Sequence, residues 1–326
     1  MPRSSALHTK PNGGTTMLGF LRNAASLTTA TFLLSPAALS LDILLTNDDG
    51  FNANGINIMF DELTAAGHNV TLVAPKTNQS GTSMAFNSQL FVPVELIEVA
   101  PNKWSVEGSP VDSLQAGLDA VLKDNPPDLV VSGSNEGENV GPITSQSGTV
   151  GAAQKALQRG IPAIAVSTER DRSTPGTLIP ALTDAARFTV RVIDEIQYDI
   201  ADRPRYCKRW PHLPVCQLED GDIRLPNRVG LNINHPSVPT AEASGVVLTK
   251  ISTWSSIDFT LVEIPGSGVA LPVIVFNQVP PTAAEQQEDT YLLSEGYITI
   301  SGLDPDLNAN LINQFVLHQV LRGLVD

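Results

Sequence analysis

An α/β fold, with a mainly parallel sheet covered by helices on both faces, is what the sequence predicts from residue 41 onwards. Three observations carry that expectation. Short apolar runs alternate with stretches whose apolar residues recur at helical spacing. Local start and stop signals such as Ser109-Pro110, Gly67 and Gly160 punctuate the helical stretches. The chain has 326 residues, 42% hydrophobic and 17% charged, which is enough for one large core and is not the composition of a disordered chain.

Taken in order, Asp42–Thr46 reads as a first apolar strand. Residues 55–66 place Ile56, Met59, Phe60 and Leu63 on one helical face, and Gly67 ends that helix. Residues 70–74 form a second strand closed by Pro75. Residues 90–99 and 103–106 read as extended segments of a hairpin. Ser109 caps a helix running to about residue 123, with Pro110 in its first turn. A buried strand at 128–132, a helix at 149–158, a strand at 161–167 and a long helix at 178–198 follow. Strands that alternate with helices in this way imply parallel pairing.

The alternation stops between about 199 and 228, where prolines, charges and both cysteines gather, so this stretch reads as an insertion. A strand resumes at 229–234, closing a core of about 41–235. Segments 246–251, 258–264 and 273–278 follow one another without long helices. They suggest a β-rich extension of hairpins over about 236–326. A strand at 297–300 and a terminal helix at 306–321 complete the chain.

Residues 1–40 read as an export leader. Arg3, Lys10 and Arg22 are basic, no acid precedes Asp42, and residues 24–39 are largely apolar and uncharged. That run is too short and too rich in Ser and Thr for a membrane span. The expectation is therefore an exported, periplasmic or secreted protein. In that setting Cys207 and Cys216 suggest a local disulfide. The net charge of −14 argues against a nucleic-acid polymer as partner.

Ligands of open α/β sheets bind beyond the carboxyl ends of the strands. Three polar, glycine-containing loops fall there: Asn47-Asp48-Asp49-Gly50, Asn78 to Ser83 with Ser80 and Gly81, and Ser132 to Gly141 with Asn135. Two adjacent carboxylates on a turn repel one another unless a cation neutralises them. Oxygen ligands of this kind suit Mg²⁺, Mn²⁺ or Ca²⁺, and such an ion can polarise a phosphoryl oxygen. Ser147-Gly148-Thr149 opens a helix, where free amides and two hydroxyls can cradle phosphate. No dinucleotide fingerprint, P-loop lysine or nucleophile elbow is present in the sequence. Of the five histidines, His235 follows a strand and reads as structural or merely exposed.

At these residues the sequence resembles the SurE family of survival-protein nucleotidases. The resemblance rests on Ile43 to Gly50, Val73-Ala74-Pro75 with Asn78 and Ser80 to Ser83, and Gly108 to Asp112. It continues through Pro127 to Asn135, Ser147 to Val150, Gly160 to Pro162, Leu231 to Asn234, Asp289-Thr290 and Gly296 to Ile300. It implies a Rossmann-like three-layer core and a β-rich C-terminal part that exchanges between subunits of a homodimer or homotetramer. It implies metal-dependent 5′/3′-nucleotidase activity on nucleoside monophosphates. It places one divalent ion, Mg²⁺ or Mn²⁺, on Asp48, Asp49, Ser80 and Asn135, and puts Ser147 to Thr149 at the phosphate. Asn47 is expected beside the substrate, and Asp48 and Asp49 are the expected catalytic residues. Where the family carries an acid after the glycine and an aromatic before Ser-Gly-Thr, this chain reads Pro142-Ile143-Thr144-Ser145-Gln146.

Two other readings stand beside this one. A covalent aspartyl phosphate needs Asp-x-Asp after the first strand, whereas the acids here are adjacent. A non-catalytic nucleotide- or metal-binding protein outside the cytoplasm would keep the same four ligands without turnover.

Overall fold

The computed structural model describes residues 40–306, apart from 172, 175, 200 and 202. The expected leader up to residue 39, and the expected terminal helix from residue 307 onwards, lie outside the described residues.

The strands are β1 (Asp42–Thr46), β2 (Asn69–Pro75), β3 (Leu96–Ala100), β4 (Lys103–Val106), β5 (Leu129–Glu136), β6 (Ala163–Thr168), β7 (Gly230–His235), β8 (Gly245–Thr249), β9 (Ile257–Ile264), β10 (Val269–Phe276) and β11 (Tyr297–Leu303). The helices are α1 (Asn54–Ala65), α2 (Pro110–Ala116), α3 (Gly148–Gln158), α4 (Leu178–Ile196) and α5 (Asp289–Ser294). Nine strands form one sheet in the order β3-β4-β2-β1-β5-β6-β7-β11-β8. Pairing is parallel from β4 through β7 and again between β8 and β11, while β3–β4 and β7–β11 are antiparallel.

Strand alternation sends successive side chains to opposite faces and so builds two cores. Ile43 and Leu45 of β1 pack with Ile56, Met59 and Leu63 of α1 and with Ala185 and Phe188 of α4. Leu44 points the other way and packs with Leu114 of α2 and Val150, Ala153 and Leu157 of α3. The start of α2 is set by Ser109, whose hydroxyl accepts from Asp112 N while the Asp112 carboxylate accepts from Ser109 N.

The chain runs outward from β1 through β2 to β4 on one side, then returns to place β5 on the other side of β1. The strand order therefore reverses at β1 and β5, and the crevice beyond their carboxyl ends is the expected ligand position.

Two features depart from the sequence reading. β5 runs on to Glu136 rather than stopping at Ser132. A bulge between Ser132 and Asn135 lets it keep pairing with β6. Gly133 sits there at φ +130°, and a Cβ on it would meet Val166 O at 2.2 Å. Of the strands expected in a hairpin extension, β8 joins the main sheet beside the last strand β11, and β9 and β10 alone form a separate antiparallel pair. β11 is buried between β7 and β8, which its apolar Ile298 and Leu303 allow. Between α4 and β7 the described residues hold short helical turns, an isolated bridge between Gln197 and Ile223, and a disulfide joining Cys207 to Cys216. Among the described residues no helix is long and apolar enough to cross a membrane.

Candidate active site

The turn after β1 is held by the Asn47 amide, whose Nδ2 donates to Gly50 O at 3.0 Å. Asp48 follows it and is almost wholly buried, at 2% exposure. Its Oδ1 accepts from Thr149 Oγ1 at 2.6 Å, and its Oδ2 from Thr149 N at 3.1 Å. The carboxylate thus sits at the N-terminus of α3, where the helix dipole favours negative charge. Gly148 makes the approach possible: a Cβ there would lie 2.8 Å from Asp48 Cβ. Burial nonetheless raises the Asp48 pKa above the ordinary carboxylate range, with the Thr149 bonds opposing the rise.

Asp49 is anchored from the other side. Its Oδ2 accepts from Glu136 N at 2.8 Å, and Asn78 Nδ2 approaches Oδ1 at 3.5 Å. Burial, and then the negative charge of Asp48, push its pKa up to about 7. Neither acid forms an ion pair with Lys, Arg or His among the described residues.

The second and third loops close around this pair. Gln79 N donates to Asp48 O at 2.7 Å, and Ser80 N to Asn78 Oδ1 at 2.9 Å. Asn135 Nδ2 donates to Gly137 O at 2.8 Å. A cavity of about 400 Å³ opens here. Asp48, Ser80, Asn135, Glu136, Glu138 and Ser147 line its polar end, and Ile143, Ile257, Phe259 and Ile274 its apolar end.

Of the residues expected at the site, Asp48, Ser80, Asn135 and Ser147 share this cavity. Asn47 is buried, with its Oδ1 unpartnered. Thr149 departs from expectation. It is fully buried, both its donors are taken by Asp48, and it does not line the cavity. The Ser-Gly-Thr turn therefore divides its work. Ser147 faces the cavity while its Oγ accepts from Val150 N and caps α3, Gly148 leaves room for Asp48, and Thr149 holds Asp48 in place.

Several supporting residues gave weaker signals in the sequence. Asn139 N donates to Asn234 Oδ1 at 2.7 Å, and Asn139 O accepts from Asn232 and Asn234. The Leu-Asn-Ile-Asn segment of β7 thus holds the end of the third loop. Asp289 is buried without a cation and accepts from Gly141 N at 3.2 Å, Ser252 N at 2.8 Å and Thr290 N at 2.7 Å. It ties the pocket loop to the root of the β9–β10 hairpin. Its only signal in the sequence is its place in the family resemblance. His235 is fully buried, with ring nitrogens on Pro236 O and Thr240 Oγ1, so its role is structural.

The donor set fits a hard divalent cation. Asp48 is buried, Asp49 is half-buried beside it, and neither forms an ion pair among the described residues, while Glu136 and Glu138 add further acid to a polar end otherwise made of neutral oxygens and amides. No group of three or more His, Cys, Asp or Glu suited to a metal occurs among the described residues, so such an ion would draw on Ser, Asn and water as well.

Comparisons with known proteins bear on this geometry. A family model described as survival protein SurE matches residues 43–258. The 5′-nucleotidase SurE of Roseobacter denitrificans is 33% identical, over 82% of this chain and 95% of its own length. That of Lawsonia intracellularis is 31% identical, over 81% and 92%. The crystal structure of the Aquifex aeolicus SurE protein superposes with a TM-score of 0.66 at 24% identity, covering 87% of this chain and all of that one, and supports the fold. The matches overturn one expectation: the relatives are described as 5′-nucleotidase SurE, and the exported placement inferred from residues 1–40 is withdrawn. A strand-end site of paired acids on a fold shared with these proteins, and a family match across most of the described residues, show that this chain belongs to the SurE family.

Proposed function

We propose that this protein is a metal-dependent phosphomonoesterase that dephosphorylates nucleoside monophosphates at the 5′ or 3′ position. The observation that carries the reading is the adjacent Asp48–Asp49 pair, without an ion-pair partner among the described residues, beside a cavity that Asp48 shares with Ser80, Asn135 and Ser147. Its relatives named 5′-nucleotidase SurE support the substrate class.

Asp48, Asp49, Ser80 and Asn135 would hold one divalent ion, Mg²⁺ or Mn²⁺. When bound, it supplies positive charge for phosphoryl transfer and makes water more acidic. Thr149 fixes the Asp48 carboxylate in one orientation, as outer-layer partners of metal ligands do. Ser147 and Gly148, at the start of α3, receive phosphoryl oxygens, and Asn47 rigidifies the turn beneath them. Asp49, the second acid of the turn, is the candidate to orient the attacking water and take its proton. We further propose a homodimer or homotetramer, supported by the exposed apolar residues of β9 and β10.

The test is phosphate release from adenosine monophosphate with Mn²⁺, with EDTA, and by Asp48→Asn. EDTA should abolish release. Asp48→Asn should lose activity on the order of 10³-fold, with its circular dichroism unchanged. Full turnover in chelator or by the variant would refute the metal reading, and ligand binding without release would favour a binding protein.

A further inference from the structure

We infer that the β9–β10 hairpin supplies the nucleoside-binding wall of the cavity, with Phe259 as its stacking residue and determinant of specificity. The inference rests on the nucleotidase reading for the identity of the ligand.

The cavity is chemically divided. Asp48, Ser80 and Ser147 gather at one end, while the other is closed by Ile143, Ile257, Phe259 and Ile274. A bare phosphate has no use for that apolar end, whereas the leaving group of a nucleotide does. Strand register explains how the hairpin presents it. Phe259 pairs directly with Ile274, and Ile257 precedes Phe259 by two residues, so all three lie on one face. The intervening Asp258 faces the other way, so the cavity-facing side is apolar by construction. Phe259 remains 51% exposed, no ring or cation contacts it among the described residues, and its ring is available to a planar partner. The wall is also held at a set distance from the acids. Asp289 accepts from Gly141 N in the pocket loop and from Ser252 N at the hairpin root, and Thr290 Oγ1 donates to Trp254 O at 3.1 Å. Stacking of a base on an aromatic ring tolerates different bases, because every base offers a π-face. The chemistry thus selects a nucleoside over a small polyol, with little preference among bases.

The experiment pairs a binding readout with a kinetic one on the full chain. Adenosine, which has no phosphate, is titrated calorimetrically into the wild type, Phe259→Ala and Phe259→Tyr. Phe259→Ala should weaken adenosine about tenfold, and Phe259→Tyr should restore it. The ratio of kcat/KM for adenosine monophosphate to that for glycerol 2-phosphate should fall by a similar factor in Phe259→Ala alone. Equal adenosine affinity in wild type and Phe259→Ala, or no adenosine binding by the wild type, overturns the inference. If the wild type binds adenosine through Phe259 yet releases no phosphate from any ester, the hairpin assignment stands and the nucleotidase reading fails.

Discussion

The strand-end frame and the β9–β10 hairpin handle polar and apolar groups in opposite ways. Around β1, β5 and α3, acids and amides are buried, and hydrogen bonds between loops hold the ones that shape the site. Asp48 is held by Thr149, Asp49 by Glu136 N, and Asn139 by Asn232 and Asn234. In the hairpin, Leu261, Val262, Leu271 and Phe276 are exposed, and Thr260, Asp258 and Glu263 bury nothing. Burial of charge is tolerated only where hydrogen bonds or a cation compensate it, so the frame must be rigid and specific. Apolar exposure persists only where something covers it in use, so the hairpin is built for contact.

The sharpest way to break the rigidity half of that contrast is Thr149→Val. It keeps the volume of the side chain and the amide bond to Asp48 Oδ2, and removes only the hydroxyl bonded to Oδ1. Loss of an outer-layer partner of this kind typically costs 10–100-fold in metal affinity or activity. A cation titration of phosphate release should show that loss as a higher Mn²⁺ requirement. Unchanged Mn²⁺ dependence would mean that Asp48 is held by its surroundings without Thr149.

A smaller effect should follow pH through Asp49. Its pKa in the folded chain, about 7, lies above the ordinary 3.8, so the fold favours the protonated acid. The associated stability is present below pH 3.8 and is lost as pH rises through about 7. In chelator the melting temperature should therefore decline across that window. A divalent ion binds the ionised form, so its affinity should fall by about tenfold per pH unit below 7. The Mn²⁺-induced rise in melting temperature should accordingly be larger at pH 8 than at pH 5. An equal rise at both would show that Asp49 is not a ligand.

This contrast also separates what the sequence reveals from what it hides. Pattern in residues 42–196 exposes the elements because the helices bury one apolar face and the central strands, buried on both, read as short apolar runs, and strand ends then point to Asp48, Asp49, Ser80 and Asn135. Thr149 was read as a phosphate contact because a Ser-Gly-Thr turn at a helix start has that chemistry. Which of its two hydroxyls turns inward depends on how close β1 lies to α3, set by Gly148 and invisible to local pattern. Asp289 was legible only as part of a resemblance, since its partners Gly141 and Ser252 lie far away in sequence. Strand β8 looked like a hairpin piece because a short edge strand of the main sheet carries the same apolar run as a hairpin strand. The role of Phe259 could not be read locally, because an alternating strand does not say which face meets a cavity.

The hairpin half of the contrast is sharpened by its far face, where Val262 pairs with Leu271 and both point away from Phe259 and Ile274. Leu271 is 53% exposed in the single chain, so its burial contributes little to the stability of one subunit. If that face meets a second copy, Leu271→Asp places an uncompensated charge in the contact. Light scattering should then report a smaller particle, while the melting transition moves by no more than a surface substitution would, about 0.5 kcal/mol in stability. Turnover of glycerol 2-phosphate should change least of all, because no residue of that face lines the cavity. An assembly of unchanged mass would show that the subunits meet elsewhere and that the apolar face of β9 and β10 serves another partner.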